Sequence, residues 1–142
     1  MTDELFLAAI VLFALVTPSG RYKHINIALA AKFAVFIGVH YYLTSIGFVD
    51  GAYVDYYRAG LDLSFLFLFL YLKGYYLASI CFFMVIFHLS NATVQLEEYT
   101  SIMITFQVAQ LMGAIWGALD DMDRISLRSI WPFTHHSNHN KL

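Results

Sequence analysis

Five apolar stretches, each close to the length that crosses a bilayer, occupy most of this chain and limit it to very few folds. A spanning helix needs about 20 mainly apolar residues, with about 17 as the lower end. Hydrocarbon offers no hydrogen bonds, so every backbone N–H and C=O must be satisfied inside the protein, which favours helices for such stretches. The expected spans are residues 2–17, 25–48, 57–72, 75–90 and 99–119. Thr2 can cap the first, Asp3 and Glu4 suit its positive start, and Pro18 ends it. A cleavable signal peptide would carry Lys or Arg where Asp3 and Glu4 stand, so the first stretch is read as a retained span.

Composition agrees with this reading. Of 142 residues, 60% are hydrophobic and 13% charged, against about 25% charged in soluble domains. That leaves too little polar surface to coat a water-soluble globule. The net charge of −2 and the absence of a basic run argue against nucleic acid as a partner. Cys81, the single cysteine, lies in an apolar stretch and reads as a small buried hydrophobe. One thiol allows neither an intrachain disulfide nor a cysteine-based zinc site.

Only Lys73 and Gly74 separate the third and fourth stretches. One continuous helix over 57–90 would be about 50 Å long, far more than a bilayer core. A hairpin is expected instead, with Gly74 accepting left-handed backbone angles. Charge gives an independent test. Five spans put Arg21, Lys23, Lys73, Arg124, Arg128 and Lys141 on one side, with Lys32 in the nearer half of its helix. Only Arg58, of eight basic residues, falls on the other side, with Asp3, Glu4, Asp50, Asp55, Asp62, Glu97 and Glu98. The basic side is then cytoplasmic. Tyr53, Tyr56, Tyr57 and Tyr99 mark the outer boundary, and Tyr22, Tyr71, Tyr75, Tyr76 and Trp116 the inner one.

The expected fold is therefore all-α: a polytopic transmembrane helical bundle of five spanning helices over residues 1–119, N-terminus outside and C-terminus cytoplasmic. Residues 120–142 form a cytoplasmic tail, with an interfacial helix ending before Pro132 and a disordered end. His135, His136 and His139 cluster in that end, which reads as disordered chain rather than as a metal site.

Helices in lipid associate by close packing, which small residues permit. Ala30, Ala34 and Gly38 lie four apart on the second helix, and Ala109, Gly113 and Gly117 on the fifth. Antiparallel helices bring Ala30 level with Gly117, Ala34 with Gly113 and Gly38 with Ala109. A close contact along these stripes is expected, within one chain or between subunits. Gln107 and Gln110 on the fifth helix are expected to hydrogen-bond across helices.

Ionisable groups inside spans are functional candidates by default, and four qualify: Lys32, His40, Asp62 and His88. Lys32 is expected to reach the cytoplasmic headgroups with its long stem. Asp62 is expected near the outer surface, too far out to pair with Lys32 and well placed to pair with His40. An imidazole beside a carboxylate would respond to pH. His40 and His88, at comparable depth on two spans, are the residues that would ligate a haem axially. The loop 49–57 carries Asp50 and Asp55, and Asn91-Ala92-Thr93 matches a glycosylation pattern close to the span.

No nucleophile with a base, glycine-rich phosphate loop or paired carboxylates is visible, so no enzyme site, resident cofactor or metal is expected. The first functional reading is a structural subunit of a membrane complex or membrane-bearing particle. Its partners are the lipid bilayer and a homo-oligomer or other membrane subunits, in a bacterial inner membrane or a viral membrane. An oligomeric pore, either an ion channel or a phage holin-like lysis protein, is the alternative. A haem- or proton-carrying membrane subunit is the second alternative.

Overall fold

Each apolar stretch folds as a helix whose limits are set by a few residues at its ends. The computed structural model describes residues 2–48 and 51–130, with side chains for 4–48 and 51–120. All secondary structure among these residues is helical: α1 Thr2–Val16, α2 Arg21–Ser45, α3 Ala52–Tyr71, α4 Tyr75–Val94 and α5 Tyr99–Ile130. Three segments are long and apolar enough to cross a membrane: Arg21–Ser45, Tyr75–Val94 and Tyr99–Asp120. In α1 the apolar part, Glu4–Val16, is shorter, and α3 carries Asp55, Arg58 and Asp62.

The ends of the helices differ from expectation in instructive ways. At the end of α2, Gly47 takes φ 84°. The Phe48 N–H donates to Leu43 O and the Gly47 N–H to Thr44 O, a Schellman closure that stops the helix at Ser45 rather than at residue 48. Gly51, at φ 146°, starts α3 at Ala52, five residues before the expected start. Most of the expected 49–57 loop is therefore helix. Residues 49 and 50, including Asp50, lie outside the described part.

The α3–α4 hairpin forms, but Lys73 rather than Gly74 is its left-handed residue, at φ 60°. The Gly74 N–H donates to Phe69 O at 2.7 Å and the Lys73 N–H to Leu70 O at 3.1 Å. That pairing needs the positive φ at the residue just after Leu72, and the sequence puts Lys there. The Gly74 carbonyl instead accepts from Ala78 N and opens α4.

Helix α5 continues to Ile130 without a break at residue 119, so the expected interfacial segment is a continuation of the fifth helix. The cluster of His135, His136 and His139, like the cap assigned to the Thr2 side chain, lies outside the described part.

The distribution of side chains is inverted relative to a water-soluble domain. Phe67, Phe82, Phe83, Leu89 and Val108 face outward, while Asn26, Lys32, Asp62, His88 and Gln110 are buried. An outer surface this apolar matches surroundings of lipid rather than water. The apolar core runs through Ile10, Leu29, Phe33, Phe69, Leu77, Met84 and Ala114. Near the α1–α2 turn, Asn26 Nδ2 donates to Thr17 Oγ1 at 3.1 Å and to Ala114 O at 3.3 Å, tying α1, α2 and α5 together.

The end of α4 is held by one side chain. Asn91 Nδ2 donates to Asp55 Oδ2 at 2.8 Å, and the Leu96 N–H donates to Asn91 Oδ1 at 3.0 Å. An Asn91→Ala variant leaves the Leu96 amide without its acceptor and removes the amide donor from Asp55, which keeps Arg58, at a cost of about 1–3 kcal/mol. Thermal unfolding in detergent should show the loss. An unchanged transition would contradict the role assigned to these two bonds.

Candidate functional site: a charged cluster inside the bundle

The inward face of α4 repeats Cys81, Met84, His88 and Asn91 at helical spacing. On α3 the corresponding face holds Asp55, Arg58 and Asp62, and α2 contributes Lys32. With Tyr99 at the start of α5, four helices converge on one carboxylate.

Lys32 Nζ lies 2.5 Å from Asp62 Oδ1, and His88 Nε2 lies 3.0 Å from Asp62 Oδ2. His88 Nδ1 is 2.5 Å from the Tyr99 hydroxyl. Arg58 Nη1 donates to that hydroxyl at 3.4 Å and lies 3.8 Å from Asp55 Oδ1. Lys32, Asp62 and His88 are 4%, 3% and 2% exposed, so the cluster is shut away from the outside of the bundle. The remaining acceptors around Lys32 are soft: Cys81 Sγ at 3.7 Å and Met84 Sδ at 3.6 Å. Gln110 Nε2 donates to Cys81 Sγ at 3.6 Å.

The chemistry of the groups fixes the polarity of these bonds. A carboxylate only accepts, so His88 Nε2 carries the hydrogen directed at Asp62. In the neutral ring Nδ1 is then the acceptor, and the Tyr99 O–H donates to it. The phenol oxygen keeps a lone pair for Arg58. Every donor in the series Arg58, Tyr99, His88 thus points toward Asp62, and Lys32 closes on it from the other side.

A cavity of about 260 Å³ adjoins the cluster. Lys32, Asp62, His88 and Tyr99 form one wall, and Arg58, Thr100, Gln107 and Gln110 add further polar groups. The space admits several waters. Gln110 Oε1 is buried without a donor among the described residues, as expected of an acceptor that serves the cavity's contents. Arg58 also lies over the Phe36 ring, with Cζ 5.3 Å from its centroid.

Several expectations are corrected here. Asp62 is not near the surface: because α3 starts at Ala52, it sits about 15 Å along the helix, level with the middle of α2. Lys32 consequently does not reach for the headgroups but ends in an ion pair with Asp62. His40 is exposed on α2 beside Tyr41, and Asp62 is already engaged by His88, so the His40–Asp62 pair does not form. Nor do His40 and His88 share a cavity. Both His88 nitrogens are taken by Asp62 and Tyr99, which leaves no axial ligand pair for haem.

The packing stripes meet only in part. Gly117 receives the Tyr22 ring of α2, while Gly113 receives Tyr76 and Leu77 of α4. Ala30 and Ala109 pack against the core. Ala34 is exposed, and a Cβ on Gly38 would meet nothing within 4 Å. The cavity lined by Phe33, Phe36, Met103 and Gln107 occupies the gap between α2 and α5 toward that end.

Arg58, Tyr99 and Asn91 were not among the sequence candidates. The signal for Arg58 is present in the three- and four-residue spacing of Asp55, Arg58 and Asp62, which one helix face shares once α3 is extended backward. Tyr99 gives no such signal, because an interfacial tyrosine and a buried one look alike in sequence. The fold and the cluster together define an all-helical bundle with an apolar exterior and a charged interior. No protein-family model, curated protein or solved structure matches the chain.

Proposed function

We propose that the chain is a multi-pass membrane protein working as a non-enzymatic, proton-carrying subunit of a bacterial inner-membrane or viral-membrane assembly. It crosses the bilayer five times, with the N-terminus outside and the C-terminus in the cytoplasm, following the segregation of Lys and Arg. Its partners are further copies of itself or other membrane subunits. The observation that carries the reading is the donor series from Arg58 and Tyr99 through His88 to Asp62. A buried ion pair brings little net stability for its desolvation cost, whereas chains of Asp and His in membranes relay protons.

The relay is balanced. A proton arriving from the outer side, through cavity water or the Tyr99 hydroxyl, binds His88 Nδ1. The Nε2 proton passes to Asp62 Oδ2, leaving a neutral ring of the other tautomer and a neutral carboxyl group. Lys32 then loses its counter-charge in mid-bundle. Toward the cytoplasmic side lie Leu29, Phe69, Leu77 and Ala78, an apolar seal with no further carboxylate or histidine within it among the described residues. The path is thus a half-path, and movement of the charged Lys32 or a neighbouring subunit completes it.

A pH jump on proteoliposomes adsorbed to a solid-supported electrode tests this reading. Protons moving part-way into the dielectric displace charge even without continuous transport. The wild type should give a transient current, Asp62→Asn should lose it, and Tyr99→Phe should slow it. Wild-type protein that behaves like protein-free liposomes would contradict the reading. A sustained current would favour the second reading, an oligomeric channel or holin-like pore. The exposed small face at Ala34 and Gly38 supports that second reading, since it allows two copies to approach closely.

A further inference from the structure

A second concave surface lies at the opposite end of the bundle from Tyr99. It is a groove of about 690 Å³ between the starts of α2 and α4 and the middle of α5. Arg21, the first residue of α2, and Lys73, in the α3–α4 turn, both line it, and among the described residues no carboxylate does. Two aromatic rings build its walls. Tyr22 lies so close to Gly117 that a Cβ there would come within 2.6 Å of the ring, and Tyr76 lies against Gly113 at 2.7 Å by the same measure. Arg21 is held at the mouth by Tyr22: Nη2 donates to the phenol oxygen at 3.2 Å, and Cζ lies 4.9 Å from the ring centroid. Trp116 is 74% exposed on the adjoining face. The floor, with Ile25, Leu77 and Met112, is apolar.

We infer that this groove binds an anionic phospholipid, its phosphate between Arg21 and Lys73 and an acyl chain along the apolar floor beside Met112. Three features converge on that occupant. Among the described residues the lining of the groove carries positive charge and no carboxylate. The mouth lies at the helix ends, where headgroups and amphipathic rings sit. Basic pockets between spanning helices on the cytoplasmic side are a recurrent solution for binding phosphate headgroups. Glycine at 113 and 117 keeps the rings flat against α5, so the groove stays open. The inference requires only that the chain lie in a bilayer, and it stands apart from the proton relay.

The test uses tryptophan quenching by lipids brominated on the acyl chain. Trp131→Phe leaves Trp116 as the single tryptophan. In mixed bilayers, brominated phosphatidylglycerol should quench Trp116 with an apparent affinity on the order of tenfold above that of brominated phosphatidylcholine. Arg21→Gln combined with Lys73→Gln should abolish the preference, and Asp62→Asn should leave it intact. Gly117→Ala, which displaces the Tyr22 ring without altering charge, should weaken quenching by both lipids. Because the bromine sits on the acyl chain, free phosphate cannot mimic the signal. Equal quenching of the wild-type groove by the two lipids, or a preference that survives loss of both basic residues, would overturn the inference.

Discussion

An Asp62→Leu variant should lose about 3–5 kcal/mol of stability, the largest effect expected of any single substitution here. The loss does not measure the strength of the ion pair. It reflects what remains after the change: an ammonium group 4% exposed, facing two sulfur atoms and no carboxylate. Removing both charges tests that explanation. Lys32→Met together with Asp62→Leu replaces the pair by apolar groups of similar size, which in other buried pairs is neutral or stabilising. The double variant should therefore recover most of the stability lost by Asp62→Leu, measured by thermal unfolding in one detergent. It should nevertheless displace no charge after a pH jump. A double variant as unstable as the single one would show that Lys32 and Asp62 are not each other's main partners. A double variant with full charge displacement would remove Asp62 from the proton path.

Gly113→Leu should cost about 1–3 kcal/mol through overpacking, whereas Gly38→Leu should be neutral or slightly stabilising for the single chain. The contrast follows from what each position meets. Gly113 lies under the ring of Tyr76 with Leu77 behind it, so a branched side chain must push α4 away from α5. Gly38 meets nothing within 4 Å, so Leu there projects outward and improves helix propensity. Light scattering of the detergent-solubilised protein adds a second readout. A lower oligomer mass for Gly38→Leu with unchanged unfolding would assign the Ala34–Gly38 face to contact between subunits. The opposite order of stabilities would contradict the packing of α5 against α4.

Sequence patterning carried the helical architecture a long way. Five helices form close to the five apolar stretches, and the Lys73–Gly74 hairpin forms where helix length demanded one. The boundaries were less legible, for a physical reason. Tyr53, Asp55 and Tyr56 are polar enough to look like a loop, yet they occupy the first turns of α3. That shift of five residues decided the site. It moved Asp62 from the expected surface to the middle of the bundle and exchanged its expected partner His40 for Lys32 and His88. Depth along a helix was thus the weak point, since each residue of error displaces a side chain by about 1.5 Å and about 100°.

The small-residue stripes illustrate a second limit. Their spacing identifies a face, but whether that face meets a neighbouring helix, another subunit or lipid depends on tertiary packing. Gly117 and Gly113 face two different helices, and a Cβ on Gly38 would meet none of the described residues within 4 Å. Gln110 was legible as an interhelical donor, but its partner, the Cys81 sulfur, was not.

The protonation state of His88 is the quantity on which the account turns, because His88 stands between the donor side at Tyr99 and the acceptor Asp62. Solid-state nitrogen NMR of histidine-labelled protein in lipid bilayers reads it directly, with His88→Gln identifying the signal. Before acidification the ring should carry its proton on Nε2, facing Asp62 of α3, with Nδ1 facing Tyr99 of α5, Lys32 of α2 on the far side of Asp62, and Arg58 and Asp55 of α3 beyond Tyr99. After an acid jump the proton entering at Nδ1 and the one leaving from Nε2 to Asp62 should convert the signal to the Nδ1–H tautomer, and Tyr99→Phe should slow that conversion. A His88 ring whose proton stays on Nε2 down to the pH at which the bundle unfolds would contradict the proposed proton path and leave the cluster a purely structural ion pair.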